Sequence, residues 1–133
     1  MASILEIQEM LQNFSQDRPS LQKNNTPEQL IILLQNEVIE ASQSLTDHNN
    51  LASELSDVLI FALTIANLYG FNMDEEVKTK IAFNTARYSA IDFNGDYEDA
   101  RLKGKKREKD LKEIFGYTQQ DPSILNPQET NQE

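Results

Sequence analysis

The chain has 133 residues, 22 acidic and 12 basic, a formal net charge of −10 and no cysteine. That length fits one domain whose core needs no staples, and without cysteine there are neither disulfides nor thiolate metal sites. The negative balance lacks the basic face of a general nucleic-acid binder, so no nucleic-acid partner is expected. The charge is uneven. Residues 1–99 carry 16 acids against 5 bases, whereas residues 100–117 carry 7 bases against 3 acids. Acidic bodies of this kind often hold cations. No apolar run reads as long enough to span a bilayer, and "MASILEIQEM" is acidic and amphipathic rather than signal-like. A cytoplasmic location without a membrane partner is the expectation.

Ile4, Ile7, Leu11 and Phe14 keep a helical period, and Ser3 with Glu6 has capping-box spacing, which predicts a first helix over 4–15. "SQDRPSLQKNN" reads as a loop punctuated by Pro19 and the asparagine pair. Thr26, Pro27 and Glu28 then form a strong helix start. Leu30, Leu33, Leu34, Val38, Ala41 and Leu45 make its apolar stripe. After "TDHNN", Asn50 is expected to cap a third helix that Gly70 ends. This helix is apolar on most sides beyond Asp57, which predicts a central position. Asn72 and Glu75 start a fourth helix running to about Tyr88. "DFNGDY" is a turn, "EDARLKGKKREKDLKEIF" reads as a short, weak helix interrupted by Gly104, and its basic run, Arg101 to Lys112, as solvated or packed on an acidic neighbouring subunit. The fold class expected is all-α, with two long central antiparallel helices. A single domain over residues 1–117 and a flexible tail over 118–133 complete the expectation.

Glu37 and Glu40 are three apart, as are Glu54 and Asp57. Each pair therefore shares one helix face. A short connection between the two helices predicts antiparallel packing, which brings the pairs level. Like charges at about 4 Å repel by about 4 kcal/mol at an effective dielectric of about 20. Divalent cations held by oxygen ligands offset that repulsion, and Mg²⁺ suits hard carboxylate oxygens. A pair on a solvated edge is the plain alternative for any one Glu-x-x-Glu. Two such pairs on consecutive helices, set beside core positions, favour the metal reading. Lys80, Asn84 and Arg87 also share a helix face, and by themselves read as solvated. His48 reads as an ordinary surface residue, and Phe14, Phe61, Phe83 and Tyr69 by themselves read as core.

"EVIEA" followed by "ELSDVLIFALTIANLYG" resembles the MazG-like all-α nucleotide pyrophosphohydrolases, whose signature is Glu-x-x-Glu and a later Glu-x-x-Asp. "TPEQLIILLQNEV" and "ELSDVLI" are similar to the dCTP pyrophosphatase-like subgroup, and "KIAFNTARY" continues the likeness, which covers Pro27 to Tyr88. The resemblance implies a four-helix-bundle-type fold. It also implies hydrolysis of a nucleoside triphosphate to the monophosphate and pyrophosphate, a house-cleaning reaction on the nucleotide pool. It maps Glu37, Glu40, Glu54 and Asp57 onto the catalytic Mg²⁺ ligands, with Mn²⁺ as a substitute. It assigns Lys80, Asn84, Arg87, Tyr88 and Phe14 to the substrate, and implies a homodimer or homotetramer. The sequence departs from the pattern at Asn36, Ile39 and Gln43, and it has no tryptophan to hold a base. The alternatives are a pyrophosphohydrolase acting on another phosphate ester, such as phosphoribosyl-ATP, and a non-catalytic helical interaction module.

Overall fold

The computed structural model describes residues 2–117. The expected flexible tail, 118–133, lies outside the described residues. Among those residues all regular structure is helical, as the periodicity predicts. The chain divides into two compact units, residues 1–76 and the part from Val77 onward.

The first unit holds α1 (Ile4–Gln16), α2 (Pro19–Asn24), α3 (Pro27–Gln43) and α4 (His48–Leu68). Ser3 caps α1 by accepting from the Glu6 amide at 3.1 Å, and Thr26 caps α3 by accepting from the Gln29 amide at 3.3 Å. Both side chains satisfy amides that have no partner inside the helix. The short α2 replaces the expected loop. Pro19 opens it, and proline costs nothing in a first turn because its missing N–H has no acceptor there. The cap of α4 is Asp47, which accepts from the Asn50 amide at 3.3 Å; the Asn50 side chain instead donates to Ser44 Oγ at 2.7 Å.

Helices α3 and α4 form the principal packing of this unit, α1 lies against α4, and α2 lies against α1. Leu30 is fully buried, and Ala41, Leu63 and Ala66 are buried as well. A polar knot fixes α1. The buried Gln8 donates to Asn67 Oδ1 at 3.0 Å and to the Phe71 carbonyl at 2.8 Å, and it accepts from the Met73 amide at 3.0 Å. Asn67 returns a bond to the Gln8 carbonyl at 3.0 Å. Both polar atoms of the Gln8 side-chain amide have partners, which makes its burial tolerable.

Helix α4 packs against both α3 and α1, as its expected central position requires, but less of it is buried than its apolar sides suggest. Only Leu63 and Ala66 of its residues are buried, while Leu55, Leu59 and Ile60 are exposed. Helices α3 and α1 cover only part of α4, so the remaining apolar surface stays open. This 21-residue helix also has a mean hydropathy of 1.5 over its most apolar window, so by length and composition it is long and apolar enough to cross a membrane, contrary to the sequence reading. Tyr69, expected in the core, is exposed and stacks on Phe71 with ring centroids 5.5 Å apart. Gly70 turns the chain past the helix end with φ of 70°, a value that disfavours any side chain there.

Helix α5 (Met73–Arg87) begins in the first unit and carries most of its length in the second, followed by a 3-10 turn at Asp92–Asn94 and by α6 (Tyr97–Phe115). Asn72 caps α5 by accepting from the Asp74 and Glu75 amides, as expected. Phe83 is fully buried and meets Phe115 and Tyr117 edge-on at 5.6 and 5.2 Å. The expected interruption at Gly104 is absent, and α6 is continuous. A Cβ on Gly104 would stand 2.6 Å from Tyr88 Cδ1 and Cε1, so the glycine serves close approach of the Tyr88 ring rather than a break.

Candidate active site

Helix α3 presents Glu37 and Glu40, and α4 presents Glu54 and Asp57. The helical hairpin brings them together as the spacing predicts. One carboxylate oxygen from each of Glu37, Glu54 and Asp57 lies within 4.8 Å of the other two. All three residues are half-buried, and Glu40 is exposed at the edge of the cluster. The outer geometry is therefore three acids converging and a fourth beside them.

The cluster is electrostatically unfavourable as it stands. Burial pushes the Glu37 carboxyl up to about 7, reinforced by a hydrogen bond with Glu40 and by the charges of Glu40, Asp57 and Glu54. Glu54 is raised for the same first reason, loss of solvation, with Glu40 and Asp57 adding to it. Glu37 Oε2 and Glu54 Oε2 are enclosed and have no hydrogen-bond partner among the described residues. Enclosed carboxylate oxygens without donors are costly, and a cation is the partner that would satisfy both at once. The donor set, all carboxylate oxygen, suits a hard divalent ion. These acids can hold one.

An apolar cavity of about 470 Å³ lies farther along the same hairpin, lined by Phe14, Leu21, Leu33, Ile60 and Phe61 among others. Leu33 precedes Glu37 by four residues and Phe61 follows Asp57 by four, an axial offset of about 6 Å in each helix. Arg18 lies over the Phe14 ring at 3.8 Å and donates to the Phe14 carbonyl at 3.0 Å. The sequence singled out Phe14; the arginine above it comes from the segment read as a loop.

In the second unit, Lys80, Asn84, Arg87 and Tyr88 occupy α5 and its end. Lys80 Nζ lies 4.7 Å from the Phe83 ring centre and 4.8 Å from that of Tyr117. The Arg87 guanidinium covers Tyr88 at 4.2 Å and Phe83 at 5.3 Å. Cations over aromatic faces are held by the ring quadrupole. Tyr88 meets Phe93 edge-on at 5.4 Å, which gives it a packing role. Asn84 Oδ1 is enclosed without a partner among the described residues. The basic run on α6 is partly paired internally: Arg107 bonds Asp92 Oδ2 at 3.0 Å and the Arg87 carbonyl at 3.1 Å. Gln8, Arg18 and the α6 acid Glu108, which meets Arg87, were not singled out by the sequence. The partners of Gln8 and the Arg87 partner of Glu108 are distant in the chain, and Arg18 itself lies in the segment read as a loop.

Residues 25–89 match the profile of the MazG nucleotide pyrophosphohydrolase domain. The match spans a little under half of the chain and supports the MazG-like superfamily, with its all-α fold and nucleotide pyrophosphohydrolase activity in general. It includes the four carboxylates and Lys80 to Tyr88, and ends before α6. Comparison with curated proteins and with solved structures gave no match.

Proposed function

We propose that the chain is a Mg²⁺-dependent nucleoside triphosphate pyrophosphohydrolase that releases a monophosphate and pyrophosphate. The observation that carries this reading is the convergence of Glu37, Glu54 and Asp57 with two enclosed, unpartnered oxygens. The domain match adds the reaction class. Glu37, Glu54 and Asp57 hold the ion, and Glu40 contributes from the exposed edge. Mg²⁺ bound there supplies charge neutralisation of phosphate oxygens and a lowered pKa for a bound water. The chain's own work is positioning. Lys80 offers a point charge to phosphate oxygens and Arg87 a planar fork. Asn84 Oδ1, enclosed without a donor, is free to accept from the substrate or a bound water.

Phe14 and the apolar cavity receive the nucleobase, since aromatic and aliphatic walls suit a flat ring. The sequence motifs are similar to the dCTP pyrophosphatase-like subgroup, but without tryptophan the base is gripped by different residues. A deoxynucleotide or a modified nucleotide is the substrate class this reading assigns, and clearing the cytoplasmic nucleotide pool is the role. Mn²⁺ serves as a substitute ion.

The open apolar face of the α3–α4 hairpin supports self-association as a homodimer or homotetramer. Val38, Leu55 and Leu59 are 52%, 50% and 62% exposed. Another copy is favoured over lipid because α4 carries Glu54 and Asp57 near its middle, where a bilayer penalises charge. The test is chromatography of products from a nucleoside triphosphate panel with Mg²⁺. The expected products are monophosphate and pyrophosphate, and a diphosphate with orthophosphate would overturn the mechanism.

A further inference from the structure

The segment beyond the matched domain contains an acid in an unusual place. Glu108 lies on α6 within the basic run and meets Arg87 Nη1 at 3.5 Å and Lys112 Nζ at 3.1 Å. The Arg87 side chain is 18% exposed and that of Glu108 28%. Lys112, one turn along the same helix, is the closer partner and fixes the carboxylate in place. Lys112, Arg87 and Lys105 together hold its pKa below the ordinary carboxylate value, against the opposing effect of burial. Glu108 is thus a fixed negative post, and Arg87 leans on it.

The manner of leaning matters. A carboxylate that sequesters an arginine pairs with two of its nitrogens at short range. The nearest approach of Glu108 to the fork is long, 3.5 Å at Nη1, and Arg87 Nε has no acceptor among the described residues although it is enclosed. The guanidinium carbon lies over the Tyr88 ring, 4.2 Å from its centre. Tyr88 is itself held by the close approach of Gly104 on α6. Helix α6 therefore bears on Arg87 in two ways, by charge through Glu108 and through the Tyr88 ring that Gly104 approaches, and leaves Nε of the fork without an acceptor.

We propose that Glu108 is a positioning residue that aligns Arg87 for a phosphate oxygen of the substrate. This rests on the assignment of Arg87 as a phosphate contact. The basic segment thereby acquires a role in binding, since it carries the acid that orients the arginine, and Lys112 anchors that acid.

The test combines steady-state kinetics on a nucleoside triphosphate with calorimetric titration of pyrophosphate, using wild type, Glu108→Gln, Arg87→Gln and the double variant. Circular dichroism and melting confirm that each is folded. In Glu108→Gln, KM rises and pyrophosphate affinity falls about fivefold while kcat stays within about twofold, the scale of one partly exposed ion pair. In the Arg87→Gln background the same change adds nothing, because Glu108 acts only through Arg87. Unchanged or tighter binding in Glu108→Gln overturns the proposal, since a competitor for Arg87 would give the latter. Multiplying effects in the double variant overturn it as well, as does a wild type that binds no pyrophosphate. A wild type that binds pyrophosphate but turns over no triphosphate refutes the proposed reaction alone, and the titrations still decide the role of Glu108.

Discussion

The two units treat charge in opposite ways. In the first, Glu37, Glu54 and Asp57 are pushed together with no cation among the described residues to meet them. In the second, acids and bases find each other: Arg107 with Asp92 at 3.0 Å, Lys103 with Asp99 at 3.1 Å, Lys112 with Glu108 at 3.1 Å. Paired charge holds a unit in shape, whereas converging like charge destabilises the fold until something binds. The difference separates scaffold from site. The first unit carries an electrostatic cost that a divalent cation would relieve, and among the described residues of the second no such acid cluster is found.

If that contrast is right, neutralising the converging acids abolishes turnover and leaves the helices intact. Glu54→Gln and Asp57→Asn keep side-chain shape, and activity at saturating Mg²⁺ is expected to fall about a hundredfold or more. Glu40→Gln, outside the three-oxygen cluster, falls less. Near-normal turnover in Asp57→Asn with unchanged circular dichroism breaks the comparison at its strongest point.

A polar group in the first unit that is satisfied behaves oppositely. Gln8→Leu strips partners from Asn67, the Phe71 carbonyl and the Met73 amide. Leaving such groups buried and unpaired is expected to cost about 3 kcal/mol in urea unfolding. In the second unit, Gly104→Ala places a methyl 2.6 Å from ring atoms of Tyr88. Overpacking of this kind costs about 1–3 kcal/mol, offset by about 1 kcal/mol of helix propensity. A net loss of about 1 kcal/mol is expected, and a stabilised Gly104→Ala would show that the Tyr88 ring moves freely.

The effect most specific to the acid cluster is a dependence of stability on pH. Glu37 is raised in the folded state to about 7 from 4.5. The folded metal-free protein therefore binds this proton more tightly than the unfolded chain does. The resulting stabilisation is full below about pH 4.5 and is lost as pH rises through about 7. Glu37→Gln lacks this dependence, so its stability relative to wild type should climb between those pH values in chelator-treated protein. A constant difference across the window would remove the case for like-charge crowding at Glu37.

The carboxylate cluster was legible because its geometry is local. Residues three apart share a helix face, and a short connection brings two faces together. The caps at Ser3, Thr26 and Asn72 were legible for the same reason. Asp47 was missed because "TDHNN" offers several competent caps and only the helix start decides among them. Pro19 misled because proline both breaks helices and begins them. Gly104 misled because its helix cost is visible in sequence and the Tyr88 ring, sixteen residues upstream, is not. The Gln8 knot was beyond reach, since its partners lie 59 to 65 positions away. The apolar stripe of α4 predicted burial that one chain does not supply.

The central claim is that the converging acids are a divalent cation site, and thermal melting of chelator-treated protein with and without Mg²⁺ at neutral pH tests it most directly. An ion that binds the folded arrangement and not the unfolded chain raises Tm. Wild type should show a clear rise, and Glu54→Gln, with one ligand and one repelling charge fewer, a much smaller one. Equal Mg²⁺-induced shifts in the two proteins would place the ion elsewhere and contradict the account.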